Sequence, residues 1–143
     1  ALAFAIDSGR FGSIQCSVNL CDQSSINNQV KNAAGKGMGV IGKRPIANAP
    51  WRYESAPVGH HHAEYWHRFH QMNLNNFGLD WNELAMRFAA FSGGVSTVIT
   101  GTSSREHLLR NIKAIEAGPL PDEIVVHLQA EFNKHDNHWT GLI

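Results

Sequence analysis

The sequence has little that would tie it to a membrane, a nucleic acid or an oxidising compartment. No apolar run approaches the length of a bilayer-spanning helix, and the opening residues, ALAFAIDSGR, lack the charged region and cleavage site of a signal peptide. Twelve basic residues balance twelve acidic ones, and neither sign gathers into a block. That excludes the basic footprint of a nucleic-acid binder and the charged face of a membrane-surface protein. Two cysteines, Cys16 and Cys21, read as reduced thiols of a cytoplasmic protein rather than as a disulfide framework. No internal repeat and no low-complexity segment is present. What remains is a chain of 143 residues, suited to one domain over 1–143; such a domain buries about two-thirds of its unfolded surface.

The most informative stretch is VSTVITGTSSREHLLRN, from Val95 to Asn111. The β-branched run from Val95 to Thr100 reads as a buried strand ending at Gly101. Ser103 with Glu106 has the form of a capping box, and Leu108, Ile112 and Ile115 supply the apolar stripe of the helix that follows. Strand, glycine, small hydroxyl residues and a helix N-terminus together make an anion cradle, because unpaired backbone N–H groups and the positive end of the helix dipole meet at one spot. In barrels of alternating strands and helices, phosphate sites favour the loops after the last strands.

Upstream, Ala1 to Ser8 reads as the last turns of a helix with Gly9 at its C-terminal cap. Ser13 to Asn19 alternates as a short strand with Ile14, Cys16 and Val18 on one side. Ser24 or Ser25 caps a helix running to about Ala34, ended by Gly35 and Gly37. Met38 to Gly42 is a second buried-type strand, closed by Pro45. Ile46 to Gly59 is a long loop bearing the exposed-type aromatics Trp51 and Tyr53, and loops of this kind are usually functional or mobile. His61 to Leu74 is helical, with Tyr65, Trp66, Phe69 and Met72 on one side. Together 46–78 form a loop and helical insertion. Asp80 and Glu83 bracket the start of the next helix, whose buried face is Leu84, Phe88 and Phe91. After Pro119 and Pro121 comes one more amphipathic helix with Ile124, Leu128 and Phe132 inward, so that 119–143 is a C-terminal helix and an aperiodic tail. The order is that of an α/β protein with a parallel sheet.

Three segments, SGRFGSIQCSVNL, GVIGKRPIAN and GLDWNELAMRFAAFSGGVSTVITGTSSREHLLRNIKAIEAGPLP, resemble the C-terminal part of the aldo-keto reductase family in order and spacing. The resemblance runs from about Ala1 to Pro121. It implies a partial TIM (β/α)8 barrel of about three parallel strands flanked by helices, equivalent to strands six to eight, with NADP(H), less often NAD(H), at the C-terminal strand ends. Residue by residue it implies that Gln15 holds the nicotinamide carboxamide, and that Lys43, Arg44, Pro45 and Ile46 pass the nicotinamide and pyrophosphate. It likewise implies that Gly101, Thr102 and Ser103 hold the 2′-phosphate and pyrophosphate, and that His107 and Asn111 reach the adenosine. Two positions depart from the family pattern: Lys43 stands where many members stack a Tyr on the nicotinamide, and His107 where NADP-selective members often carry Arg. On the residues alone, Gln15 reads as a polar sheet-face residue, Lys43 and Arg44 as a solvated strand end, and Asn111 as a surface helix residue.

The family's Asp, Tyr, Lys and His tetrad belongs to strands outside this sequence, and Tyr53 and Tyr65 lie in the wrong elements to replace it. The expectation is therefore a truncated aldo-keto reductase-like protein that keeps part of the NADP(H) site and has no oxidoreductase activity alone. The alternatives are an interaction or structural module working through its exposed sheet, or a fragment of a complete NADPH-dependent enzyme. Three strands cannot close a ring, so the inner face, with Gln15, Ile41, Lys43, Thr97 and Ile99, should lie bare. A homo-oligomer, most simply a dimer, or a missing N-terminal half would cover it. Five histidines crowd the segment from His60 to His70, but no zinc-ligand pattern completes them, and no metal is expected.

Overall fold

A computed structural model of the chain describes residues 1–139 and 141–142. Its elements run α1 (Leu2–Ser8), β1 (Ser13–Ser17), α2 (Lys31–Gly35), β2 (Gly39–Lys43), α3 (His60–Met72), α4 (Trp81–Ala90), β3 (Thr97–Ile99), α5 (Arg105–Glu116) and α6 (Asp122–His135). The three strands form one parallel sheet in the order β1-β2-β3. This is the α/β partial-barrel arrangement that the sequence predicts.

The register sorts the side chains into two faces. Gln15, Ile41 and Thr97 form one row across the sheet, and Ser17, Lys43 and Ile99 the next; residues paired this way share a face because side chains alternate along a strand. The opposite face carries Ile14, Val40, Cys16, Gly42 and Val98. That second face is the core: Ile14, Cys16, Val18 and Val40 are buried against a layer that includes Val30, Leu84, Phe88 and Leu128. Gly42 lets the two strands lie close there, since a Cβ would come within 3.2 Å of Val98 Cγ1. The first face is open except at Ser17, which is buried, with Gln15 and Thr97 exposed and Ile99 46 % exposed.

Several local expectations are corrected. The strand predicted over Val95 to Thr100 shrinks to Thr97–Ile99 and is not buried, because it is an edge strand with β2 as its one neighbour. The cap of α5 is Ser104, whose hydroxyl accepts the His107 N–H at 3.3 Å, and not Ser103. Neither Ser24 nor Ser25 caps α2: Ser25 donates to the Ser17 carbonyl at 2.8 Å and Ser24 to Asp22 at 3.4 Å, so α2 is entered through a π turn, Ile26–Val30. The apolar stripe of α5 is not a buried face. Leu108 and Ile112 are exposed, while Asn111 and Ala114 turn inward. Phe91 follows α4 as its cap and is exposed. Asp80, by contrast, caps α4 as expected, accepting the Asn82 and Glu83 N–H groups, and Gly9 closes α1 at φ 64.

A buried polar cluster fixes the C-terminal end of β1. Asp22 is fully enclosed and accepts hydrogen bonds from Tyr65 at 3.4 Å and from the Leu142 N–H at 3.1 Å. Burial pushes its carboxyl above the usual range, against the opposing pull of the Leu142 N–H and Arg68. Arg68 reaches from α3 to the Cys21 carbonyl and to Glu64. Cys16 and Cys21 are both free and buried, and burial raises both thiols.

Candidate functional site

The loop after β2 turns back through Ala47, Asn48 and Ala49, all left-handed at φ 49, 59 and 53. Such a run of non-glycine residues is sterically costly, of the order of 1 kcal/mol or more apiece, and strain of this kind gathers at functional sites. Two buried ends hold it in place, Ala47 and Ala49. Beyond it, Trp51 stacks on Trp81 at 6.0 Å and tilts against Phe69 at 5.9 Å. The indole N–H of Trp66 donates to the Tyr53 carbonyl at 2.9 Å. The loop expected from sequence is thus tied down by aromatic packing, and Trp51 faces inward.

This anchoring presents Arg52 to a groove across the C-terminal ends of β2 and β3. The groove has two lobes. The first, of about 610 Å³, is walled by Lys43, Arg44, Pro45, Ile46, Arg52, Tyr53, His62, Thr100 and Gly101 among others. The second, of about 340 Å³, is walled by Trp51, Asp80, Asn82, Thr102, His107, Arg110 and Asn111 among others. Ile46, Ala49, Arg52, Thr100 and Gly101 line both, so Arg52 stands where the lobes meet.

The charge of the groove is positive. Among the described residues no carboxylate lies within ion-pair distance of Lys43, Arg44 or Arg52. The one acid in the wall of the second lobe, Asp80, spends a carboxylate oxygen on the first turn of α4. Arg110 is paired with Glu106 at 3.3 Å on the exposed face of α5. His61 stands beside the first lobe with its buried Nδ1 lacking a partner among the described residues. Burial, Arg44, His60, Lys43 and His62 together hold its pKa below the ordinary histidine range.

Eight of the ten residues expected at a cofactor site converge on this groove: Lys43, Arg44, Pro45, Ile46, Gly101, Thr102, His107 and Asn111. Gln15 and Ser103 do not line it. Gln15 lies exposed on the open sheet face, one pleat row below Lys43, and Ser103 is exposed in the turn before α5. Asn111 has a structural duty as well, since its amide accepts from Asn82 at 2.8 Å and donates to the Thr100 hydroxyl at 3.3 Å. Thr102 receives the Ser104 N–H at 3.1 Å. Sequence reasoning missed Arg52, His62 and Arg110. Arg110 stands four residues after Glu106, the spacing of an ordinary solvated helix pair, and nothing local distinguishes Arg52.

The crowded histidines are accounted for locally. His67 and His70 flank Trp66 at ring distances of 5.2 and 4.1 Å, and His60 meets His61 edge-on. Among the described residues no three histidine, cysteine or carboxylate side chains gather into a metal-holding group. Nor is any helix of the described residues long and apolar enough to cross a membrane.

A parallel sheet covered by helices on one face, with a cationic groove at its strand ends, is the architecture of part of a (β/α)8 barrel. Solved structures give that class a particular likeness. The chain superposes on aldo-keto reductase AKR11C1 from Bacillus halodurans with a TM-score of 0.71 for the holo form and 0.74 for the apo form, at 21 % identity in each case. The match covers 91 % of this chain and 46 % of that one, so the chain spans about half the length of the solved barrel. No protein-family profile and no curated protein matches it in sequence.

Proposed function

We propose that the chain is a truncated aldo-keto reductase-like protein that holds NADP(H) in the two-lobed groove and has no oxidoreductase activity by itself. The observation that carries this reading is the groove: three cationic side chains, Lys43, Arg44 and Arg52, with no carboxylate partner among the described residues, beside a strand-turn-helix segment in two adjoining lobes of about 610 and 340 Å³. In this reading the second lobe takes the adenosine end, with Thr102, His107 and Asn111 around it and Ser103 at its rim. The first lobe takes the pyrophosphate along Lys43, Arg44, Pro45 and Ile46. Gln15, on the open face, is left for the nicotinamide carboxamide. With His107 in place of an Arg, preference for a 2′-phosphate falls to Arg52 and Arg110, both fork-shaped donors.

Reductase chemistry needs a proton donor within hydrogen-bond reach of a carbonyl. Tyr65 is fully buried behind Asp22, and Tyr53 lies in the wall of the first lobe with the Arg52 guanidinium over its ring. Among the described residues no ion pair of a Lys with an Asp stands beside either ring, which supports binding and not turnover. The open sheet face and the outer edges of β1 and β3, unpaired among the described residues, support a partner: a second copy in a dimer, or a half-ring bearing further strands. The bare face also supports a second reading, an interaction module in which the groove is vestigial. The free buried thiols fit the cytoplasm.

Titration with NADPH, followed by tryptophan fluorescence, to which Trp51 in the second lobe contributes, tests the proposal. Saturable quenching, competed by 2′,5′-ADP and weaker for NADH, is the expected result. No change at millimolar NADPH overturns it, and sedimentation then decides whether the sheet face alone is at work.

A further inference from the structure

Trp139, Gly141 and Leu142 are fastened across the C-terminal ends of β1 and β2, mostly by groups outside the groove. Leu142 is buried, its N–H donating to Asp22 Oδ2 at 3.1 Å. Its carbonyl accepts two donors at once, the Ser17 hydroxyl at 2.9 Å and Arg44 Nη1 at 3.2 Å. Upstream, Trp139 lies edge-on to Phe132 at 5.6 Å, with the Arg68 guanidinium 5.1 Å over its ring. Gly141 passes Asp22 closely, an added Cβ there falling 3.8 Å from a carboxylate oxygen. Arg44 therefore belongs to two structures, the fastened chain end and the wall of the first lobe.

We infer that Trp139, Gly141 and Leu142 form a strap that positions Arg44 for the phosphate in the first lobe, so that strap docking and anion binding favour each other. This rests on the nucleotide reading above for the identity of the anion. A free arginine side chain carries much rotamer entropy, which must be lost before its fork can meet a phosphate. One guanidinium N–H held by the Leu142 carbonyl takes that loss in advance and leaves the remaining donors directed by a fixed plane. Arg44 also sits in the left-handed region at φ 55, a conformation that needs outside support in a non-glycine residue. The linkage is reciprocal: whatever factor the docked strap adds to anion affinity, the bound anion adds to strap docking.

The test uses the 143-residue chain, inorganic pyrophosphate as probe, and the rate at which carboxypeptidase releases the C-terminal residues. In the ligand-free chain, Arg44→Gly keeps the left-handed backbone without strain and removes the guanidinium; release should quicken about tenfold. Saturating pyrophosphate should slow release severalfold in the wild-type chain. Ser17→Ala, whose hydroxyl touches the strap and not the groove, should weaken pyrophosphate binding about threefold by calorimetry while also speeding release. A purely structural strap would leave that affinity unmoved. Release rates indifferent to both Arg44→Gly and pyrophosphate overturn the strap, as does faster release in Ser17→Ala with unchanged affinity. Should pyrophosphate and NADPH both fail to bind the wild-type chain, the nucleotide reading and the coupling fall together, while quicker release in Arg44→Gly still upholds the hold of the strap on Arg44.

Discussion

The same three strands present two faces that have met opposite fates. On one, Ile14, Cys16 and Val40 are sealed under helices; on the other, Gln15, Thr97 and Ile99 stand open. Nothing in backbone geometry distinguishes the faces, since alternation gives each strand one of either kind. The difference lies in what is available to cover them. Helices α2, α4 and α6 contribute Ala33, Leu84, Ala85, Phe88, Leu128 and Phe132 to the sealed side. The open side has no helix layer, only the chain ends and loops that border the groove. A parallel sheet ordinarily has both faces covered. One sealed layer supplies the core, and the bare layer is where binding and association remain to be satisfied.

The sharpest way to break this contrast is one substitution made once on each face. Ile14→Ala should destabilise by about 2–5 kcal/mol, combining lost transfer energy with an unfilled cavity. Ile99→Ala, already 46 % exposed, should change stability by less than about 1 kcal/mol in urea melts at low concentration. If Ile99→Ala costs as much as Ile14→Ala, and the cost grows with protein concentration, the open face is covered in solution by a second copy.

At the strand ends the contrast is sharpened by charge. Arg52 is exposed and has no ion-pair partner among the described residues, so Arg52→Ala should leave the melting temperature nearly unchanged while weakening NADPH about tenfold, an effect that shrinks as salt rises. Equal affinity in the variant would make Arg52 a solvated loop residue and remove the hinge between the two lobes.

Asp22 is the point where the sealed layer meets Tyr65 and the Leu142 N–H, and its burial raises its pKa in the folded state. A raised carboxyl means that the folded chain binds a proton more readily than the unfolded one. Stability tied to this group is therefore whole below the unfolded pKa, near 3.8, and lost as pH climbs through the folded value. Asp22→Asn should accordingly stabilise the chain at pH 7 by something like 1 kcal/mol, and the gap to wild type should close as pH falls toward 4. A gap that widens on acidification would mean that the hydrogen bonds from Tyr65 and Leu142 outweigh desolvation.

How much of this was legible in the sequence differs between the same two regions. Alternation placed Ile14, Cys16 and Val18 on one side and Gln15, Thr97 and Ile99 on the face left bare, because strand periodicity needs no tertiary information. The Asp80 cap and the Gly9 terminus were equally local. Failures arose where a neighbour decides the outcome. The β-branched run at Val95 promised a long buried strand, yet a strand with a single partner pairs only as far as that partner reaches. The stripe of Leu108 and Ile112 carries helical periodicity, but periodicity does not say whether anything lies opposite. Arg52 was invisible because its position depends on three left-handed residues, Ala47 to Ala49, whose types seldom adopt that conformation. Gln15 and Ser103, both suggested by resemblance, lie outside the groove's walls, since strand and turn geometry set them one step away from it.

The finest test of local against tertiary control is the start of α5, on the open side. Ser103 and Ser104 are adjacent, chemically identical, and each stands a few residues from an acid or a histidine that could complete a cap. Ser104 wins because Thr102 captures its N–H, holding it extended at φ −101 and ψ 122 with its hydroxyl beneath the His107 N–H. Ser104→Ala should thus cost roughly 0.5–1 kcal/mol, while Ser103→Ala costs next to nothing in the ligand-free chain. Adding NADPH separates the remaining possibility: a Ser103→Ala variant of unaltered stability that binds NADPH more weakly would show its hydroxyl turning into the second lobe when ligand arrives. Unchanged binding would confine the cradle to Thr102 and the backbone N–H groups that open the helix.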